Sequence, residues 1–288
     1  SLVMKKNNFT LGLIFISLFV FTSTFAQKKK VGTLSEGLTE ISGLTFINET
    51  VMVGHNDGGD APKLYLMDVK GNLLHTVLID GANNIDWEDI AYDGKEYLYI
   101  ADNGNNNNDR KDLVIYKVST KDILTKKSIP SEKINISYNE QTAFPPEKTD
   151  LYFDAESLAF YKNELYIFTK CRAFPFDGVS YCYTVPTNPG TYKLDKKTQI
   201  VIGKDGWWKD SSTGADVRGD KFYILTYNRL LIYKLENNTF VKESEMLMEP
   251  ISQFEAIAIN EKGEIYIADE NNSLLGGGNI YNVLTIPK

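Results

Sequence analysis

Asp86-Trp87-Glu88-Asp89-Ile90-Ala91, followed shortly by Tyr97-Leu98-Tyr99-Ile100-Ala101, is the stretch on which the fold turns. A short segment of small and apolar residues, opened by an acid, precedes an aromatic-rich run of strand character. The pair recurs along the chain. Its other openings are Ile41-Ser42-Gly43-Leu44, Asp154-Ala155-Glu156-Ser157-Leu158-Ala159, Thr213-Gly214-Ala215-Asp216-Val217 and Gln253-Phe254-Glu255-Ala256-Ile257-Ala258. Their partners are Val51-Met52-Val53-Gly54, Glu164-Leu165-Tyr166-Ile167-Phe168, Lys221-Phe222-Tyr223-Ile224-Leu225 and Glu264-Ile265-Tyr266-Ile267-Ala268. A third run follows in most copies, for example Leu230-Leu231-Ile232-Tyr233-Lys234-Leu235, and polar turns such as Asp68-Val69-Lys70-Gly71-Asn72 lead to a fourth.

Four short strands per unit at a roughly constant period describe a β-propeller blade, and such a blade buries its faces only against its neighbours, so the chain must close into a ring. Five copies in the 262 residues from Gln27 give about 52 residues each and six would give about 44, both close to the usual roughly 40 to 50. The stretches 119–153 and 171–212 could hold a degenerate sixth. Five are countable, so the expectation is an all-β, five-bladed propeller, with six blades as the alternative. Val31-Gly32-Thr33-Leu34 stands before the first copy, and the last copy ends near its third strand; the N-terminal segment is expected to supply the missing outer strand and close the ring.

The segment before this array reads as a leader. Met4-Lys5-Lys6 is positive, residues 11–21 form an uncharged apolar run too short for a membrane span, and Thr24-Phe25-Ala26 offers small residues at the cleavage positions. Residues 1–3 precede Met4. Residues 1–26 are therefore set aside and 27–288 taken as one propeller domain, periplasmic or secreted, without a membrane span and monomeric. Loss of Lys5 and Lys6 takes the formal charge from −7 to −9. Such a surface argues against nucleic acid and anionic lipid and suits cations or neutral ligands. The two cysteines, Cys171 and Cys182, flank a loop between neighbouring strands, and an oxidising compartment would let them pair.

In a propeller the first strands line the central channel, and the loops leaving the second strands open on the same face. Ser42, Glu88, Glu156, Gly214 and Glu255 occupy matching first-strand positions, with Asp86, Asp89, Asp154 and Asp216 nearby; Asn56, Asp57, Asp102, Asn103, Lys170, Arg172, Tyr227, Asp269 and Glu270 follow the second strands. Three glutamates converging on one axis raise each other's pKa unless a cation lies between them. Carboxylates and amides with scarcely any His or Cys suit Ca²⁺, or Mg²⁺, rather than zinc or copper. The metal candidates are Glu88, Glu156, Glu255, Asp102 and Asp269; Ser42, Asn56, Asn103, Lys170, Arg172 and Tyr227 are the candidate ligand pocket. The alternative is that these acids pair with Lys170, Arg172 and Arg110. The Asn-rich tract from Asp102 to Asp109 lacks the EF-hand spacing and reads as a solvated turn. There is no Gly-x-Ser-x-Gly elbow; His55 and Asp57 are the candidate proton-handling residues.

Glu40-Ile41-Ser42-Gly43-Leu44, Asn56-Asp57, Leu64-Tyr65 with Asp68 and Gly71-Asn72, and Asp86-Trp87-Glu88-Asp89-Ile90-Ala91 resemble the SdiA-regulated and phytase-like group of bacterial propellers. The resemblance implies a funnel-shaped propeller with calcium in its channel, and in the phytases calcium with basic residues hydrolysing phosphate esters; their full ligand set has no counterpart here. A binding or interaction module is the functional expectation. The alternatives are a calcium-dependent hydrolase of lactone or phosphoester type and a glycan-binding module using Trp207 and Trp208.

Overall fold

The computed structural model describes residues 24–25, 27–272, 274 and 276–284; the leader reading falls almost wholly outside them. Two N-terminal strands, β1 (Thr24–Phe25) and β2 (Gln27–Thr33), precede the first blade. That blade is β3 (Ile41–Phe46), β4 (Val51–Asn56), β5 (Lys63–Asp68) and β6 (Leu73–Asp80), antiparallel throughout. The second is β7 (Trp87–Tyr92), β8 (Tyr97–Asp102), β9 (Val114–Ser119) and β10 (Ser128–Tyr138). In the third, β11 (Asp154–Tyr161), β12 (Glu164–Lys170) and β13 (Val179–Pro186) are followed by β14 (Gly190–Leu194) and β15 (Lys196–Val201), of which β15 pairs with β13. A single helical turn, α1 (Trp207–Asp210), leads to the fourth blade, β16 (Gly214–Arg218), β17 (Lys221–Leu225), β18 (Arg229–Glu236) and β19 (Thr239–Leu247). The fifth contributes β20 (Phe254–Ile259), β21 (Ile265–Asp269) and β22 (Asn279–Leu284).

Among the described residues the ring has five blades. Its closure is the one the sequence implies: β2 pairs antiparallel with β22 as the outer strand of blade five, and Lys28 places its ammonium 4.4 Å over the Phe254 ring. The two stretches that could have hidden a sixth blade do other work. Residues 119–153 contain β10, which pairs parallel with β6 of blade one and with β14, and so joins three blades along the rim. Residues 171–212 contain β13 to β15 and α1.

Burial explains the strand compositions. The inner strands β3, β7 and β20 are buried on both sides, which is why they read as continuous small and apolar runs, whereas the outer β6 and β10 alternate buried with exposed positions. Five apolar clusters fill the spaces between consecutive blades. Trp87, Ile100 and Leu64 belong to the one between blades one and two, and Phe168, Phe222 and Phe240 to the one between three and four. Hairpin turns are tied by side chains: Asp93 accepts the N–H groups of Lys95, Glu96 and Tyr97, and Asn260 those of Lys262 and Glu264.

Polar staples bind neighbouring inner strands across the channel. The Ser42 hydroxyl donates to the Glu88 carbonyl at 2.9 Å, and Thr213 to the Phe254 carbonyl at 2.6 Å. The buried Asp89 carboxylate accepts the N–H of Leu158 at 2.8 Å and of Ala215 at 3.1 Å, bridging blades two, three and four.

Both cysteines are free thiols, against the expectation of a pair. Cys182 lies opposite Phe168, so Cys171 stands three residues further along, about 10 Å at the rise of a strand and beyond disulfide reach. The Cys171 thiol instead donates to Asp177 at 3.2 Å.

Candidate acidic cavity at the channel mouth

Four inner strands begin with the same irregularity. Between Ile41 and Gly43, Trp87 and Asp89, Ala155 and Ser157, and Phe254 and Ala256, one residue drops out of register with the second strand. The displaced residues are Ser42, Glu88, Glu156 and Glu255. A bulge of this kind leaves its extra residue unpaired and re-aims the side chain, here towards the channel mouth. In blade four Gly214 stays in register with Leu225, and Trp207 of α1 and Tyr227 beyond β17 take up that quarter of the rim.

These side chains enclose a cavity of roughly 230 Å³, whose wall is completed by Asp57, Asn106, Lys170, Arg172, Gln253 and Glu270. It has two halves. In one, Lys170 Nζ lies 3.1 Å from Glu156 Oε2 and donates to the Tyr227 hydroxyl at 3.1 Å, while Arg172 Nε meets Asp154 Oδ2 at 2.6 Å and its terminal nitrogen meets Glu156 Oε1 at 3.5 Å and Asn106. Both cations also lie over the Trp207 ring, Lys170 Nζ at 4.8 Å and Arg172 Cζ at 5.4 Å. Burial works to lower the Lys170 pKa, but the negative charge of Glu156 together with Tyr227 and Glu255 outweighs it and holds the ammonium well above its ordinary pKa.

In the other half Asp57 and Glu88 line the cavity, and Asp86 behind the lining brings a carboxylate oxygen within 4.8 Å of theirs; Glu88 lies equally close to Asp154 and Glu156. Burial, then Asp57 and Asp154, push Asp86 up to about 7, and burial followed by Glu156 and Asp57 drives Glu88 well above the usual carboxylate range. Glu270 is pushed up to about 7 and Glu255 well above its ordinary value, in both cases chiefly by burial. Two glycines make room for this cluster. A Cβ on Gly104 would strike Glu88 Oε1 and Asp86, and one on Gly58 would come within 2.8 Å of Asp86 Oδ1.

Other expected residues lie elsewhere. Asn56, Asp102 and Asp269 occupy equivalent second-strand ends and bracket the loop entering an inner strand or its partner. Asn56 accepts the Glu40 N–H, Asp102 the Asp86 N–H at 3.0 Å, and Asp269 the Asn279 N–H and the Ser252 hydroxyl. Asp102 is further paired with Arg110 at 3.0 Å. Lys170 occupies the corresponding place in blade three and turns into the cavity instead. Asn103 is buried outside the lining. His55 is 0 % exposed, packed edge-on against Trp87 at 5.4 Å, and held by burial at a pKa of about 4; it does not reach the cavity, whereas Asp57 does.

No family model matches this sequence, and no curated protein matches it. Among solved structures, the glutaminyl cyclase of Myxococcus xanthus superposes with a TM-score of 0.56 at 11% identity over 91% of this chain and 98% of that one. The PQQ-bound aldose sugar dehydrogenase of Streptomyces coelicolor gives 0.49 at 11% identity over 92% and 99%, and a gluconolactonase of Xanthomonas campestris 0.44 at 12% over 90% and 89%. At such identities the first likeness shows the fold alone. It agrees with a propeller; the narrower SdiA-regulated or phytase-like grouping remains a resemblance of motifs.

Two lining residues escaped the sequence reading. Asn106 lies in the tract taken for a solvated turn, yet Asn105 and Asn108 beside it are buried, Asn105 accepting from Asp109 and Arg110 and Asn108 from Phe153. Gln253 was legible only as the opening of a repeat. Its amide donates to Glu270 at 3.0 Å.

Proposed function

We propose that the protein is an exported binding propeller whose channel-mouth cavity takes a hard divalent cation, Ca²⁺, on Asp57, Asp86 and Glu88. The observation that carries this reading is the contrast between the two halves of the cavity. Glu156 and Asp154 have Lys170 and Arg172 as counter-ions, whereas the carboxylates of Asp57, Asp86 and Glu88 converge with no basic side chain among the described residues in salt-bridge contact. Mutual repulsion in a partly buried site favours any dication that relieves it. Three carboxylates also fit the oxygen-rich sphere of calcium, with ligand or water oxygens from the cavity completing six to eight positions. The hydrolase alternative has less support: with His55 buried away from the cavity, proton transfer would fall to the carboxyl groups, Lys170 and Tyr227, with no imidazole among them.

Thermal unfolding with calcium and then with chelator tests this. A free-ion concentration of about one hundred times the dissociation constant stabilises by roughly 2.7 kcal/mol. That corresponds to a rise in Tm of about 5 to 10 °C for a chain of this size. The rise is expected to vanish in Glu88→Gln; an identical rise in that variant, or none in the wild type, contradicts the proposal.

A further inference from the structure

We infer that the ligand of this cavity is a neutral polyhydroxyl compound of single-ring size, a monosaccharide or cyclitol, bound beside the cation. This rests on the calcium reading and goes beyond it in naming what completes the site. Size comes first: roughly 230 Å³ lies below the ~300 Å³ at which cavities for drug-sized molecules begin. The chemistry of the wall comes second. Among the described residues no aliphatic side chain lines it; carboxylates supply acceptors, and Arg172, Lys170, Asn106 and Gln253 supply donors. A compound whose every edge carries both a donor and an acceptor matches such a wall, and an apolar or singly functional molecule would leave buried polar groups unpaired.

Charge decides between a neutral and an anionic ligand. Lys170 and Arg172 are already engaged by Glu156 and Asp154. Glu255 and Glu270 add further carboxyl groups, so a dication on the other half does not turn the cavity positive. A phosphate or carboxylate ligand would therefore face excess carboxylate, whereas paired hydroxyls can replace waters on a hard cation without added charge. The rim offers an apolar complement: Trp208, 50 % exposed, stands edge-on to Trp207 at 5.3 Å and 5.0 Å from the Tyr227 ring, a surface on which the C–H face of a sugar ring can rest.

The test is calorimetric titration of the calcium-loaded protein with D-glucose, D-galactose, D-mannose and myo-inositol, and with glucose 6-phosphate and glucosamine as charged counterparts. At least one neutral compound is expected to bind saturably, with glucose 6-phosphate weaker than glucose by about tenfold or more, the scale of one buried unfavourable contact. Gln253→Ala or Asn106→Ala should weaken the neutral ligand about tenfold by removing an amide's hydrogen bonds, while the calcium-induced rise in Tm persists. Binding of a neutral compound without any calcium effect would uphold the polyol inference and remove the cation reading. No binding by any neutral compound while the calcium effect is intact, or tighter binding of the phosphate or the amine, would overturn the inference.

Discussion

Glu88 shows how one position acquires chemistry from its surroundings. As the third residue of Asp86-Trp87-Glu88 it is an acid in a buried strand, where an unpaired charge is costly. The bulge between Trp87 and Asp89 turns it to the channel mouth, beside Asp57, Asp86, Asp154 and Glu156. That the recurring glutamates would meet was legible, because Glu88, Glu156 and Glu255 recur at one place in the repeat. Which neighbours would be counter-ions was not: Asp102 and Lys170 occupy the same station of their blades, one clamped by Arg110 and the other free to enter the cavity. The raised carboxyl groups set a pH dependence. Glu270 beside the cavity and Asp216, whose carboxylate accepts the Ile259 N–H at 2.7 Å, are each pushed by burial to about 7. Their folded forms bind protons more tightly than the unfolded chain, so the stability they lend is full below about pH 4 and lost as pH rises through about 7. The metal-free protein should accordingly melt at a higher temperature at pH 5 than at pH 8. Melting curves across that range check it, and a Tm that climbs with pH would refute it.

At the level of elements, the blade strands declared themselves through composition, since an inner strand buried on both sides must be small or apolar throughout and an outer strand must alternate. Elements that depart from the repeat were hidden for the same reason. β10 carries polar residues along an exposed rim, and α1 is one turn whose place is set by the buried Asp210 paired with Arg229. The closing strand β2 was legible from its position alone, as an unmatched strand at one end facing a missing one at the other. It shields the edge of β22 and places Lys28 against Phe254 and Tyr281. Deleting residues 27–33 should lower Tm by roughly 10 °C or more, the scale of losing about 4 kcal/mol in a chain this long, and promote association through the bared edge. Circular dichroism melts and sedimentation would read both effects; an unchanged monomer with an unchanged Tm would show that the ring does not depend on this strand.

Across the whole molecule, five blades bring residues to one acidic cup at the channel mouth, and Asp89 and its companion staples tie the inner strands together. The cup is asymmetric because blade three contributes Lys170 and Arg172, and blade four contributes glycine at the bulge position and an aromatic rim. That asymmetry leaves Asp57, Asp86 and Glu88 without a basic partner in salt-bridge contact among the described residues, and the cation reading depends on it. The most direct measurement is an anomalous difference map from a crystal of the mature protein soaked in a calcium-mimicking lanthanide. The account predicts a single strong peak about 2.3 to 2.6 Å from carboxylate oxygens of Asp57, Asp86 and Glu88. A map without a peak there, or with Arg110, Lys170 or Arg172 turned in to occupy that place, would contradict it.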